Sequence, residues 1–82
     1  MKKTKKSKSK NIIGPKVKKA RLAFEPIISQ DALAGRLAKR GISLDRSAIS
    51  RIESQERYVM DYEVVAIAKC LKVPVGYLLG EK

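Results

Sequence analysis

The sequence predicts an all-α fold: one compact five-helix domain preceded by a basic arm. Three observations carry that expectation. Apolar residues recur at helical spacing in several short stretches, as in Leu33, Ala34, Leu37 and Ala38. Residues suited to starting or stopping helices stand at the ends of those stretches: Ser29, Asp45, Gly41 and Gly80. Alternation of apolar and polar residues, the mark of a half-buried strand, reaches no useful length anywhere.

Residues 1–11 form the arm. Its first ten positions contain only Met, Lys, Thr and Ser, which cannot bury enough surface to offset the entropy of ordering, so the arm is expected to be disordered in isolation. Residues 12–82 form the domain. A first helix is expected over about 15–24, with Pro15 suited to its first turn, Val17, Ala20 and Phe24 on its inward face, and Pro26 as its stop. A second helix starts at the N-cap Ser29, carries Asp31 in its first turn, buries Leu33, Ala34, Leu37 and Ala38, and closes at a left-handed Gly41. Ile42 and Leu44 fall in the following turn. Asp45 caps a third helix over about 46–54, and residues 55–59 read as a polar loop. A fourth helix is capped by Asp61, with Met60 stapled against Val65, with Val64, Ala68 and Leu71 inward, and with Lys69 and Lys72 at its cation-favouring end. A short fifth helix, about 75–79, packs Leu78 on the core and stops at Gly80.

Composition narrows the function classes. Eighty-two residues suffice for one small domain with a modest core. No apolar run approaches the roughly 18–20 residues of a membrane span, and no apolar stretch follows the N-terminal lysines to make a secretory signal. One cysteine and no histidine leave neither an internal disulfide nor a ligand set for zinc, and point to a reducing cytoplasm. Cys70 reads as a small buried apolar residue. No catalytic constellation, Gly-rich phosphate loop or small-molecule ligand motif is present, so neither an enzyme nor a cofactor or metal is expected. The net charge of +11 is the strong signal, six of those charges coming from Lys2, Lys3, Lys5, Lys6, Lys8 and Lys10. So basic a small protein is expected to meet nucleic acid rather than membrane.

The third helix sharpens that expectation. Arg46, Ser47, Ser50, Arg51 and Ser54 share one side at helical spacing, and Ala48, Ile49, Ile52 and Glu53 share the other. Such a helix buries its apolar side and offers cations and hydroxyls to something polar and anionic. Arginine can fork onto guanine O6 and N7, and serine can donate or accept, so Arg46, Ser47, Ser50 and Arg51 are the base-reading candidates for double-stranded DNA. Ser29, Gln30, Ser54, Arg57, Lys39 and Arg40 are candidates for phosphate contacts. Glu53 lies on the core side, where an unpaired carboxylate is costly, so it demands a partner.

The pattern resembles the lambda-repressor-like, Cro-type helix-turn-helix regulators of the XRE kind. The resemblance covers about 12–80. It rests on Arg21, on Ser29-Gln30 with Leu33-Ala34, on Ala48-Ile49-Ser50-Arg51-Ile52-Glu53, and on the ending Ala66-Ile67-Ala68-Lys69-Cys70-Leu71-Lys72-Val73-Pro74-Val75 with Tyr77-Leu78-Leu79. It implies a major-groove recognition helix at 46–54 and an ion pair between Arg21 and Glu53 that positions it. Two departures stand out. The turn over 39–44 is longer than the family's, which leaves open a tilted third helix or an extended second one, and Gln55 stands where the family often has glycine.

Three functions follow as expectations. The leading one is a sequence-specific transcriptional regulator, a repressor acting by operator occupancy as a homodimer on a two-fold site. The others are an antitoxin or adaptor using the same fold to bind protein, and a nonspecific nucleic-acid binder driven by the lysine arm. Tyr77, Leu78 and Leu79 leave two readings open, a small dimer surface or core.

Overall fold

The computed structural model describes residues 9–81, whose regular elements are all helices, with no strand among them. Of the arm over 1–11 that is expected to be disordered, residues 1–8 lie outside the described residues. The five helices are α1 (Gly14–Leu22), α2 (Gln30–Ala38), α3 (Arg46–Glu53), α4 (Asp61–Leu71) and α5 (Val75–Leu79). Their inward side chains make one core: Val17 and Ala20 from α1, Leu33 and Leu37 from α2, Ile49 and Ile52 from α3, Ile67, Ala68 and Leu71 from α4, and Leu78 from α5. Ala66 and Cys70 of α4 and the connector residues Ile13, Ile28 and Leu44 complete it. Cys70 is buried and free.

The junction between α1 and α3 holds the third helix in place. Asn11 Oδ1 accepts from the Gly14 amide at 2.8 Å, and its Nδ2 donates to the carbonyls of Ile52 (3.1 Å) and Arg57 (2.8 Å). One amide side chain thereby starts α1 and ties off the C-terminal end of α3, where carbonyls lack intrahelical partners. The Lys10 amide donates to the Gln55 carbonyl at 3.0 Å, and Gln55 Nε2 donates to the Asn11 carbonyl at 2.9 Å. These bonds tie Lys10 and Asn11 to the C-terminal end of α3. Gln55 itself takes the left-handed conformation, φ 67°. A glycine would adopt that backbone without steric cost, and the side-chain bond to Asn11 helps to offset the cost here.

Gly14, the first residue of α1, lies against the C-terminal end of α3. A Cβ on it would lie within 2.8 Å of the Glu53 carbonyl oxygen and closer still to that of Ile52. Both obstacles are backbone, so Gly14→Ala must push the two helices apart. It is expected to cost about 1–3 kcal/mol, the range for overpacking. Thermal denaturation checks this, with a drop of several degrees expected, since 1 kcal/mol corresponds to roughly 4–8 °C in a domain of this size.

Several local expectations are corrected. α1 ends at Leu22, two residues early, because the chain turns back on itself: the amides of Phe24 and Ile28 both donate to the Arg21 carbonyl. Phe24 still packs against the core from beyond the helix. Ala38 is exposed, since α2 closes there and the Ile42 amide returns to the Leu37 carbonyl around Gly41 at φ 81°. The long turn thus leaves α2 unextended. Asp61 is the first residue of α4 and Met60 its N-cap, because Glu63 reaches back to accept from the Met60 amide at 2.9 Å. Met60 and Val65 are 54% and 42% exposed, so no staple buries them. No helix among the described residues is long and apolar enough to cross a membrane.

Candidate nucleic-acid interface

The start of α3 is fixed by Asp45, whose Oδ1 accepts from the Ala48 amide at 2.8 Å. That bond satisfies one of the orphan amides at the helix start and sets its first residue at Arg46. Ile49 and Ile52 then insert into the core, at 1% and 0% exposure. With those two buried, the helical period turns Arg46, Ser47, Ser50 and Arg51 outward, and all four are exposed. The result is eight residues with a row of cations and hydroxyls facing solvent. Ala48 is half-buried beside the row and helps seat the helix.

Glu53 closes the inner side of α3. Its Oε2 accepts from Arg21 Nε at 2.7 Å and its Oε1 from Arg21 Nη2 at 2.9 Å, a two-pronged pair with side chains 8% and 5% exposed. Arg21 Nη1 also donates to the Ile28 carbonyl at 2.9 Å, and Gln30 Nε2 donates to Glu53 Oε1 at 3.0 Å. Each buried polar atom in this cluster has a partner. The cluster joins α1, the segment before α2, the first residue of α2, and α3. It therefore fixes the height and rotation of α3 relative to the first two helices.

The structure places the remaining candidates differently. Arg46 lies 3.7 Å from Asp31, in the first turn of α2, with both side chains about two-thirds exposed or more. An ion pair so open to solvent stabilises by less than about 1 kcal/mol, so Arg46 can leave it for an anion at little cost. Ser29 accepts from the Ala32 amide at 3.0 Å, which makes it the cap of α2. Gln30 spends one amide hydrogen on Glu53 and is half-buried. Ser54, the C-cap of α3, donates to the Arg51 carbonyl at 3.3 Å. Arg57 is held by the Tyr58 carbonyl at 3.0 Å and by Glu63 at 3.2 Å, a pairing that anchors the loop to α4.

Lys39 and Arg40 do not join this group. They lie at the far end of α2 from Asp31 and Arg46, and a nine-residue helix is about 13 Å long. Four exposed groups on α3 thus form one continuous probe, with Ser29 and Gln30 flanking it at the start of α2. Lys39 and Arg40 lie at the other end of α2, and Arg57 stands in the loop after α3.

Two residues that position the probe escaped sequence reasoning, Asn11 and Gly14. Their signal was present as an Asx residue three positions before the Gly14 amide, just ahead of Pro15. Chemically, the probe offers two guanidinium forks and two hydroxyls on a rigid helix whose inner face is locked by burial and by a buried ion pair. No protein-family model matches the chain, and neither a characterised protein nor a solved structure matches it significantly.

Proposed function

We propose that the chain is a sequence-specific DNA-binding transcriptional regulator in which α2, the turn after it and α3 act as a helix-turn-helix, with α3 entering the major groove. One observation carries the reading: Arg46, Ser47, Ser50 and Arg51 are exposed on one face of a helix whose opposite face is buried and pinned through Glu53 to Arg21. Base reading requires just such a division, with donors and acceptors projecting from a support that does not rotate. The N-terminal residues of a recognition helix reach furthest into the groove, which gives Arg46 and Ser47 the leading role. Net charge of +11 supplies the sequence-independent attraction that brings the protein to a duplex.

A single short helix reads few base pairs. Adequate specificity therefore calls for two copies on a two-fold site, with half-sites about 34 Å apart. Bound to an operator that overlaps a promoter, such a dimer represses by excluding polymerase. Tyr77 is half-buried beneath Lys16 and Leu78 is fully buried, so of the three C-terminal residues Leu79, at 40% exposure, is the one free to meet a second copy.

Selection of bound duplexes from a random pool tests the proposal. An enriched site with two inverted half-sites is expected. Recovery of sequences no different from the starting pool would instead favour nonspecific binding.

A further inference from the structure

A second concentration of positive charge lies at the opposite end of α2 from the probe. Arg36, Lys39 and Arg40, at and just beyond the end of α2, face Lys69 and Lys72 at the end of α4 across an open concavity of about 460 Å³ floored by Cys70. Among the described residues no carboxylate lines it. Lys39, Arg40, Lys69 and Lys72 are all exposed, and Arg36 sits with its guanidinium carbon 5.5 Å from the centre of the Phe24 ring, which orients it.

The ordinary role of cations at helix ends is to complement the dipole. Each C-terminus carries roughly half a negative charge, so two ends account for about one unit. Five cations exceed that several-fold, and the excess, about four charges, remains unanswered within the cleft. None of the lining residues is aromatic, and the floor is a single small side chain. A protein partner would call for an apolar or aromatic anchor at the centre of its footprint, and the lining of the cleft offers none beyond Cys70. Long, flexible, solvated cations without a rigid polar frame suit a repeating anion whose spacing they can follow.

From this we infer that the α2–α4 cleft is a sequence-independent contact site for the phosphate backbone of nucleic acid, separate from the base-reading face of α3. It rests on the proposed function only in taking nucleic acid as the partner. In that role the cleft raises affinity for every duplex alike and leaves discrimination to α3.

The test uses the full chain with paired neutral substitutions. Arg40→Gln with Lys69→Gln removes one cation from each wall, and Lys18→Gln with Lys19→Gln removes the same charge from the exposed side of α1 as a control. Binding to a random-sequence duplex is measured across salt concentrations, together with binding to poly-L-glutamate, and melting curves establish that both variants are folded. The cleft pair is expected to flatten the slope of log K against log salt by about 2, near 0.9 for each phosphate no longer neutralised, and to weaken binding at least tenfold at low salt. The control pair should change the slope by less than half as much. The ratio of selected-site to random affinity should stay as in the parent. Equal effects of the two pairs, or an unchanged slope in the cleft pair, would overturn the inference. Loss of poly-L-glutamate binding with duplex binding intact would also overturn it, and would assign the cleft to an acidic protein. Failure of the α3 reading shows up elsewhere, as a parent protein with no preference between selected and random duplexes.

Discussion

Arg21→Ala is expected to destabilise the fold by about 3–5 kcal/mol, the cost of stripping one partner from a buried ion pair. The substitution leaves Glu53, with its side chain 5% exposed, holding a charge answered only by the Gln30 amide. It also orphans the Ile28 carbonyl, which accepts from Arg21 Nη1. A small domain has roughly 5–15 kcal/mol of stability in all, so a large share of the reserve is lost and the melting temperature should fall by well over 10 °C. A companion variant separates the buried charge from the shape of the site. Arg21→Met combined with Glu53→Leu replaces both charges with apolar groups of comparable size and should recover much of the loss. Denaturation by urea or heat measures both. If Arg21→Ala melts with the parent, the pair contributes nothing to the support of α3.

The second large effect concerns recognition. On the proposed reading, each guanidinium that forks onto a guanine accounts for about 1–3 kcal/mol of discrimination. Arg46→Ala with Arg51→Ala should then narrow the gap between a selected site and random duplex by about 2–6 kcal/mol, roughly thirtyfold to more than ten-thousandfold. Both side chains are exposed, and among the described residues the ion pair affected is the open one between Arg46 and Asp31. Stability should therefore change by no more than about 0.5 kcal/mol. Competition binding with the two duplexes, run beside a melting curve, checks both halves. Loss of affinity for the two duplexes in equal measure would mean that the arginines meet phosphates rather than bases.

The parts of the structure legible in the sequence are those that local chemistry decides. Ser29 and Asp45 cap their helices because a hydroxyl or carboxylate three residues before an unpaired amide suits that position wherever it occurs. Gly41 and Gly80 are left-handed because few other residues adopt that backbone freely. Burial of Ile49 and Ile52 opposite Arg46 and Arg51 follows from the helical period alone.

What stayed hidden depends on segments distant in sequence. Asn11 is unremarkable until the ends of α1 and α3 meet, 41 residues apart, at its amide. Gly14 in the sequence merely precedes Pro15, and only the fold shows two carbonyls where its side chain would be. Arg57 reads as a candidate phosphate contact, and only the fold shows Glu63 beside it. The α2–α4 cleft is an intermediate case. Its cations repeat at helical spacing, Arg36 with Lys39 and Arg40, and Lys69 with Lys72, so each stripe is visible in the chain. That the two stripes face one another is a property of the packing.

The groove that α3 enters on the proposed reading is open to direct chemical test. Methylating guanine N7 places a methyl group in the major groove, on the acceptor that an arginine fork requires. In a duplex carrying a selected site, methylation at particular guanines should block binding, and Arg46→Ala or Arg51→Ala should abolish the sensitivity at one of them. Binding indifferent to N7 methylation at every guanine, or blocked only by methylation at adenine N3 in the minor groove, would contradict recognition through this face of α3.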